Sequence, residues 1–218
     1  MFDSGISVKN LIEELKNTEV DIALDIPNAT YVSWLNALQQ LLYTEVIKEQ
    51  REYRSEPEAQ VENILFATGE EIGLFRLSRI KPSTKENKPM FEDIIAFYID
   101  KTRLIKSSVD SGVVFPNTFF KYENDIGYNF NGLNDGTKER IIYYVKPALV
   151  KVDDNDVIND VNVMVPVEFI DLVKSKLRGE AYKLVNEDGI AAKWLNDYNV
   201  QLETFKAWIN EKSPNFGL

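Results

Sequence analysis

The residues that enzymes most often use for nucleophilic and acid–base chemistry are missing from this chain. Its 218 residues include no His and no Cys, which excludes a Ser-His-Asp triad, a thiolate nucleophile and zinc sites built on these residues. Carboxylates remain, and a glycosidase needs two of them about 5 to 10 Å apart in a cleft. With 35 acidic residues, however, adjacent pairs are expected by chance. We interpret these pairs as solvated faces and turns: Glu13-Glu14, Glu70-Glu71, Glu92-Asp93 and Asp153-Asp154.

The acidic run from Asp153 to Asp156 superficially resembles a calcium-binding loop. An EF-hand loop needs Gly at its sixth position and a bidentate Glu at its twelfth, whereas Ile158 or Asn159 occupies the sixth position here. We therefore interpret the run as a linker, with opportunistic calcium binding as the alternative. No P-loop or Gly-x-Gly-x-x-Gly motif is present, so binding of phosphate by a Gly-rich loop has no support. No metal or cofactor is expected.

Composition and charge restrict the partners of the chain. It carries 35 acidic and 25 basic residues, a net charge of −10 and no run of four Lys or Arg, which argues against sequence-specific DNA binding. With 44% hydrophobic and 28% charged residues it has the composition of a globular protein. It shows neither a signal peptide nor the roughly 20 apolar residues of a membrane span. These patterns predict a cytoplasmic compartment and no membrane partner.

Hydrophobic periodicity divides the chain into zones that predict an α+β fold. Residues 1–58 show a helical period and carry net −6, residues 59–150 show short strand-like runs and carry net 0, and residues 151–218 carry net −4. Within the last zone, 151–212 are a linker followed by helices, and 213–218 are an extended docking tail. We expect a bundle of about four helices from both chain ends, with an inserted antiparallel β-subdomain.

The first zone predicts two helices. Ser7 is a suitable cap for a short helix. Asn28 is a plausible cap for a longer helix that reaches about Arg51 and stops at Ser55-Glu56-Pro57. The apolar positions of this second helix recur at spacings of three and four residues: Tyr31, Trp34, Leu35, Leu38, Leu41, Leu42 and Val46.

The middle zone predicts strands because its apolar runs are short, rich in Ile, Val, Phe and Tyr, and separated by turn residues. Asn131-Gly132 is a hairpin-type turn. The runs are Ile64–Ala67, Gly73–Ile80, Asp93–Ile99, Thr102–Val109, Val113–Tyr122, Ile126–Phe130 and Arg140–Val150.

The last zone predicts two further helices, with Pro166 at the entry of the first. The apolar face of that helix comprises Phe169, Leu172, Val173, Leu177, Ala181, Leu184 and Val185. The final helix carries Ala191, Trp194, Leu195, Tyr198, Leu202, Phe205, Trp208 and Ile209. From these patterns the predicted helical core is Trp34, Leu35, Leu38, Phe169, Leu172, Trp194, Tyr198 and Phe205.

The end of the chain has the composition of a docking segment. It is apolar at Phe216 and Leu218 and contains no helix-forming pattern, as is typical of an extended segment that binds in another protein's cleft. Trp208 lies near the end of the final helix. It is expected in the core, and the alternative is that it binds in a groove of a partner protein. The residues assigned to the tail are Pro214, Asn215, Phe216, Gly217 and Leu218.

Both chain ends resemble the head-to-tail adaptor (connector) proteins of tailed bacteriophages. Ile6–Ile12 resembles their first helix, and Trp34-Leu35-Asn36-Ala37-Leu38 resembles the aromatic-leucine-asparagine core of their second. Ile141–Leu149 is similar to their last strand. The later segments that carry the resemblance are Val165–Phe169 with Leu172-Val173 and Ala181-Tyr182, and Ala191–Trp194 with Tyr198, Leu202 and Phe205. The resemblance covers about the outer half of the chain, and residues 59–135 carry no motif of the family.

The resemblance implies a non-enzymatic structural protein of the virion. Such adaptors form a ring, usually dodecameric, between the portal of the capsid and a neck or tail protein, and double-stranded DNA passes through the ring without sequence-specific binding. The protein would assemble in the host cytoplasm and reside in the virion neck. An acidic lining repels phosphates, so we expect a helical zone to line the channel. Exposed sheet edges are candidates for contacts between copies.

Two alternatives remain. The first is a neck or tail-completion protein of the same particle. The second is a β-rich carbohydrate-binding module, which an exposed coplanar row of aromatic rings would support. The rings for such a row are Tyr122, Tyr128, Phe130, Tyr143 and Tyr144.

Overall fold

The chain folds as two compact units. The computed structural model describes residues 2–18, 26–56, 61–66, 69–108, 114–132, 136–159 and 161–212. Met1–Lys48 and Pro147–Leu218 form one unit, which contains the α-helices, and Glu49–Lys146 form the other, which contains the sheet. We refer to them as the helical unit and the sheet unit. The predicted α+β class is confirmed.

The α-helices described in the helical unit come from both ends of the chain. They are α1 Val8–Thr18, α2 Asn28–Leu41, α3 Ile170–Leu184 and α4 Asp188–Lys212. Ser7 caps α1 as predicted, because its Oγ accepts a hydrogen bond of 3.1 Å from the backbone N–H of Asn10. Pro166 also lies where the sequence predicts, immediately before a 3₁₀ turn, Val167–Phe169, that leads into α3.

The second helix ends earlier than the predicted boundary at Arg51. After α2 the chain continues as a π-helical segment, Leu42–Ile47, and Lys48 closes it in the left-handed conformation with φ 48°. Gln50–Arg54 then form the strand β1. This strand pairs along its whole length with a strand near residue 140. The local hydrophobic period contains no information about such a distant partner, which is why the prediction was wrong here.

The core of the helical unit is built around α3, which contacts α1, α2 and α4. Gly179 permits a close approach to α4, since a Cβ at this position would lie 2.7 Å from the Leu195 side chain. Three residues predicted on apolar faces are exposed instead: Leu41, Leu184 and Val185. Leu41 is the last residue of α2, directly before the π-helical segment. Leu184 and Val185 lie at the end of α3.

The sheet unit contains eight strands in the order β1-β8-β4-β5-β6-β7-β3-β2. After β1 they are β2 Glu62–Leu65, β3 Glu71–Phe75, β4 Ile94–Ile99, β5 Thr102–Lys106, β6 Thr118–Tyr122, β7 Asp125–Asn129 and β8 Glu139–Tyr144. Two 3₁₀ turns, Leu77–Arg79 and Phe91–Asp93, separate β3 from β4.

The strand pairing departs from the predicted antiparallel sheet at one place. Neighbouring strands are antiparallel except β5 and β6, which run parallel and pair Ile105 with Thr118. The connection between β4 and β5, at Asp100-Lys101, and the connection between β6 and β7, at Glu123-Asn124, are two-residue hairpin turns. The first residue of each turn has a left-handed backbone conformation. Parallel strands cannot be joined by a tight hairpin, and residues 107–117 separate β5 from β6 in the sequence.

The sheet curls around an aromatic core. Tyr53 of β1 and Phe75 of β3 have ring centroids 5.3 Å apart, although these strands are first and seventh in the sheet order. Phe97 of β4 contacts Phe75, Phe119 and Tyr128 at centroid distances of 5.8, 5.8 and 5.0 Å. Contact between such distant strands requires strong curvature of the sheet.

Two glycines in the strands leave space for the aromatic ring of the residue paired with each of them on the neighbouring strand. A Cβ at Gly73 would lie 2.3 Å from the ring of Tyr128, its cross-strand partner. A Cβ at Gly127 would lie 2.6 Å from the ring of Phe120, which is its own partner. Glycine in a strand interior is unfavourable unless another group must approach closely, and these two rings are the groups that do so.

Candidate functional site

The residues predicted for the helical core all lie in the helical unit. Leu35, Leu38, Leu172, Tyr198 and Phe205 are buried. The three others are half-buried: Trp34 and Phe169 pack against the same core, and the Trp194 ring lies 4.6 Å from the guanidinium carbon of Arg178.

An aromatic cluster surrounds the end of α4. Trp208 is half-buried, and its ring centroid lies 5.3 Å from that of Phe169 and 5.7 Å from that of Phe2. Phe169 also contacts Phe205 at 4.8 Å. The backbone N–H of Phe2 donates a hydrogen bond of 3.0 Å to the hydroxyl of Tyr43. Trp208 therefore holds the ends of the helical unit together, and the alternative that it faces a partner groove is not supported.

The docking tail predicted at Pro214–Leu218 lies outside the described residues. The described part of the chain ends with α4 at Lys212, directly after the aromatic cluster. The cluster fixes the position from which any following segment departs.

The acidic run at Asp153–Asp156 has a structural use that the sequence did not reveal. Asp153 closes a turn, since its Oδ1 accepts 2.9 Å hydrogen bonds from the backbone N–H groups of Asn155 and Val157. Asp156 caps α2: its two carboxylate oxygens accept 3.0 Å hydrogen bonds from the backbone N–H groups of Asn28 and Ala29. The predicted cap, Asn28, is instead the first residue of α2, and its amide donates to the carbonyl of Asp156.

Replacing Asp156 by Gly should destabilise the helical unit by about 1–2 kcal/mol, as expected for a lost helix cap. Gly tolerates the left-handed φ of 61° found at this position, so the substitution removes the carboxylate without adding backbone strain. Denaturant unfolding followed by tryptophan fluorescence measures the effect. Asp154→Gly in the neighbouring exposed position is the control, and equal losses for both variants would contradict the capping role.

In two of the four adjacent pairs, Glu13-Glu14 and Glu92-Asp93, the carboxylates belong to ion pairs with lysines. Glu14 contacts Lys174 at 2.6 Å, Glu92 contacts Lys121 at 3.1 Å, and the buried Asp93 pairs with Lys146. The pKa of Glu92 is lowered by a hydrogen bond from its backbone and by Lys121, so this group is ionised at neutral pH. An ionised, paired carboxylate is unsuited to general acid catalysis.

The aromatic rings considered for a sugar-binding row do not form one. Tyr128 is completely buried in the sheet, and Tyr143 is 7% exposed. Tyr122, Phe130 and Tyr144 are only half-buried, but Tyr122 packs against Phe66 in a small apolar cluster. A stacking platform needs a row of open ring faces, so the carbohydrate-binding alternative loses its main support.

A buried polar cluster inside the sheet unit was not predicted. Glu139, at the start of β8, is 2% exposed. One of its carboxylate oxygens accepts a 2.7 Å hydrogen bond from the Tyr128 hydroxyl, and the other accepts one of 2.6 Å from the Arg79 guanidinium. The cluster thus joins β7, β8 and the turn after β3. A sequence signal existed, because Glu139 shares the inward face of β8 with Ile141 and Tyr143.

Burial determines the ionisation of this cluster. Desolvation raises the pKa of Glu139 above its usual value, although Tyr128 and Arg79 both oppose the shift. Burial and the charge of Glu139 raise the pKa of Tyr128. Perturbed groups of this kind occur at active sites and also in structural ion pairs. Because both carboxylate oxygens of Glu139 are already hydrogen-bonded within the chain, the structural role fits the geometry better.

Acidity is concentrated in the helical unit. That unit carries 19 acidic and 11 basic residues, whereas the sheet unit carries 16 and 14. The net charges are therefore −8 and −2. Exposed acids of the helical unit lie on α1, α3 and α4 and in the α3–α4 connection, and include Glu13, Asp171, Glu187, Asp188 and Glu203.

Among the described residues, acidic side chains form no group of three or more placed to hold a metal ion. Within the same part of the chain, no helix is both long and apolar enough to cross a membrane. No protein-family model matches the chain, and no curated protein is similar enough to it to count as a match.

Proposed function

We propose that this chain is a head-to-tail adaptor of a tailed bacteriophage, a non-enzymatic virion protein that forms a ring between the portal and the neck or tail. The observation that carries the proposal is the joint folding of the two chain ends, which bear the resemblance to adaptors. Helices from Val8–Leu41 and from Ile170–Lys212 share one hydrophobic core, and the residues of the sheet unit lie between these two segments in the sequence. We further propose that α1 to α4 form the four-helix bundle of such an adaptor.

The charge distribution supports passage of DNA through the ring. A surface that carries net negative charge repels phosphates and does not retain the genome as it moves. The helical unit carries net −8, so we propose that this unit lines the channel and that the nearly neutral sheet unit faces other proteins. A neck or tail-completion protein of the same particle is the second candidate, since the same charge and ring geometry would serve there.

The decisive experiment is a binding and imaging measurement with the portal of the same particle. The purified chain, alone and mixed with portal, is examined by size-exclusion mass measurement and negative-stain microscopy. Dodecameric rings, or a monomer that assembles only on portal, support the adaptor. Rings that do not bind portal but do bind a tail protein favour the second candidate. A monomer that binds neither overturns both.

Removing residues 213–218 should weaken portal binding and leave the fold unchanged. The removed segment begins directly after α4, and short apolar segments dock into clefts of partner proteins. Pull-down with portal measures binding, and circular dichroism checks the fold. Replacing only Phe216 and Leu218 by Ser is the matched variant, since it keeps the length of the tail. Unchanged portal binding by both variants would show that the tail assignment is wrong.

A further inference from the structure

The sheet unit carries a groove whose walls are apolar and basic. The groove, about 260 Å³ in volume, is lined by residues that include Leu77, Lys88, Met90, Phe91, Glu92 and Lys121. Met90 is 57% exposed although it is a large apolar side chain. We call this feature the Met90 groove.

Lysines predominate around the Met90 groove. Lys88 is exposed, and the Lys106 amine lies 4.4 Å from the centroid of the Phe91 ring. Lys121 forms an ion pair with Glu92, the acidic residue of the lining. The lining itself contains two lysines and one carboxylate, Lys88 and Lys121 against Glu92, and therefore carries a net charge of +1. An apolar floor with a positive rim suits an occupant that is apolar and acidic.

The helical unit presents a surface of that kind at the connection between α3 and α4. Leu184, Val185 and Ile190 are 55%, 38% and 42% exposed. Glu187 and Asp188 lie between them and are also exposed, with Lys183 as the basic residue nearby. We call Leu184–Ile190 the α3–α4 turn.

The α3–α4 turn is held in a defined conformation. Asn186 adopts a left-handed conformation with φ 62°, and the backbone N–H of Glu187 donates a 2.9 Å hydrogen bond to the carbonyl of Tyr182. The backbone N–H of Ile190 donates to the carbonyl of Glu187 at 3.1 Å. A preorganised turn loses little conformational entropy when it docks.

We propose that the Met90 groove of one copy binds the α3–α4 turn of the next copy. The apolar side chains of the turn would cover Met90 and Phe91, while Glu187 and Asp188 would face Lys88 and Lys121. Two unlike surfaces meet in such a contact, and repetition of a heterologous contact generates a ring when the rotation closes. The inference rests on the proposed function, because it supplies the contact between subunits that the adaptor ring requires.

Cysteine cross-linking tests the contact directly, since the chain contains no native Cys. Met90→Cys and Ile190→Cys are made in separate chains, mixed and treated with a short bifunctional maleimide, so that only contacts between copies give a dimer. The control replaces Ile190→Cys by Val200→Cys, an exposed position in the middle of α4. Docking should give at least about tenfold more cross-linked dimer than the control, because it raises the effective concentration of the two thiols.

The result is interpreted beside the portal experiment. Cross-linking at the level of the control, in a preparation that forms rings or binds portal, would overturn the docking contact and leave the adaptor proposal intact. Control-level cross-linking in a preparation that stays monomeric would overturn the contact as well. Absence of both ring formation and portal binding would count against the adaptor itself.

Charge reversal provides a second measurement. Lys88→Glu with Lys121→Glu in one variant, or Glu187→Lys with Asp188→Lys in another, should each weaken self-association at least about tenfold, since like charges then oppose each other. Mixing the two variants should restore association, because every contact again joins opposite charges. Failure of the mixture to associate, with both variants folded, would contradict the proposed pairing.

Discussion

Replacement of Arg79 by Met is expected to destabilise the sheet unit by about 2–3 kcal/mol at neutral pH. Met has an unbranched, uncharged side chain that fills part of the space of Arg79. The substitution therefore leaves the Glu139 carboxylate buried without its cation. An unpaired buried charge is strongly unfavourable, so Glu139 would be protonated in the folded variant. Protonation costs about 1.4 kcal/mol for each pH unit above the usual pKa of 4.5, which gives an upper limit of about 3.5 kcal/mol at pH 7. The expected loss is smaller, because burial already raises the pKa of Glu139 in the native protein.

The loss should depend on pH in a definite direction. Burial raises the pKa of Glu139 in the folded protein above its unfolded value, so folding is favoured by this group at low pH and is disfavoured as the pH rises through the raised pKa. Removing Arg79 raises that pKa further. The difference in stability between the native chain and Arg79→Met should therefore be small near pH 4.5 and should increase toward neutral pH.

Glu139→Gln is the matched variant, because it keeps the shape of the side chain, its amide oxygen can accept from Arg79, and its NH2 group can donate to the Tyr128 hydroxyl. It removes the titrating group, so the double variant Arg79→Met with Glu139→Gln should lose the pH dependence and recover part of the stability. A pH-independent loss in Arg79→Met, unaltered by the second substitution, would show that lost packing rather than the buried charge is responsible.

The two units can be followed separately. The three tryptophans, Trp34, Trp194 and Trp208, all belong to the helical unit, so tryptophan fluorescence reports on that unit alone. Hydrogen exchange of the backbone amides in the strands reports on the sheet unit. The unfolding transition of Arg79→Met should shift in the hydrogen-exchange signal and stay unchanged in the fluorescence.

Replacement of Phe205 by Ala is expected to destabilise the helical unit by about 3–5 kcal/mol. Phe205 is completely buried, and its ring contacts Phe169 at a centroid distance of 4.8 Å and Trp208 at 6.2 Å. The truncation leaves a cavity between α4 and the entry of α3, and the aromatic cluster at the end of α4 loses its central ring. Urea unfolding followed by tryptophan fluorescence measures the loss.

Val200→Ala on the same helix is the control, since Val200 is 61% exposed. Its substitution should change the free energy of unfolding by no more than about 0.5 kcal/mol. Similar effects of the two substitutions would contradict the assignment of Phe205 to the core. If Phe205→Ala also weakens portal binding while the fold persists, the aromatic cluster contributes to positioning the tail.

Local patterns in the sequence predicted most of the elements. The caps at Ser7 and Pro166 depend on the hydrogen bonds and backbone angles of adjacent residues, and both lie where the sequence indicates. The apolar runs between residues 64 and 150 overlap seven of the eight strands described, although the ends of runs and strands often differ. The helical positions Leu35, Leu38, Leu172 and Phe205 are buried as their spacing suggests.

Features that depend on distant residues were missed. Gln50–Arg54 became a strand because β8, about 90 residues later in the chain, provides its partner. The cap of α2 comes from Asp156 rather than from Asn28 at its own start. The parallel pairing of β5 and β6 also depends on how the sheet closes, and the Glu139 cluster exists only because the curl brings β7, β8 and Arg79 together.

The same division applies to function. The sequence by itself determined the absence of His and Cys chemistry, the acidic charge and the resemblance of the chain ends to phage adaptors. The tertiary structure placed those ends in one helical unit with net −8, and it formed the Met90 groove and the α3–α4 turn, the two surfaces that we propose to dock. Composition and periodicity are properties of single residues and near neighbours, whereas a shared core and a docking groove depend on which distant residues the fold brings together.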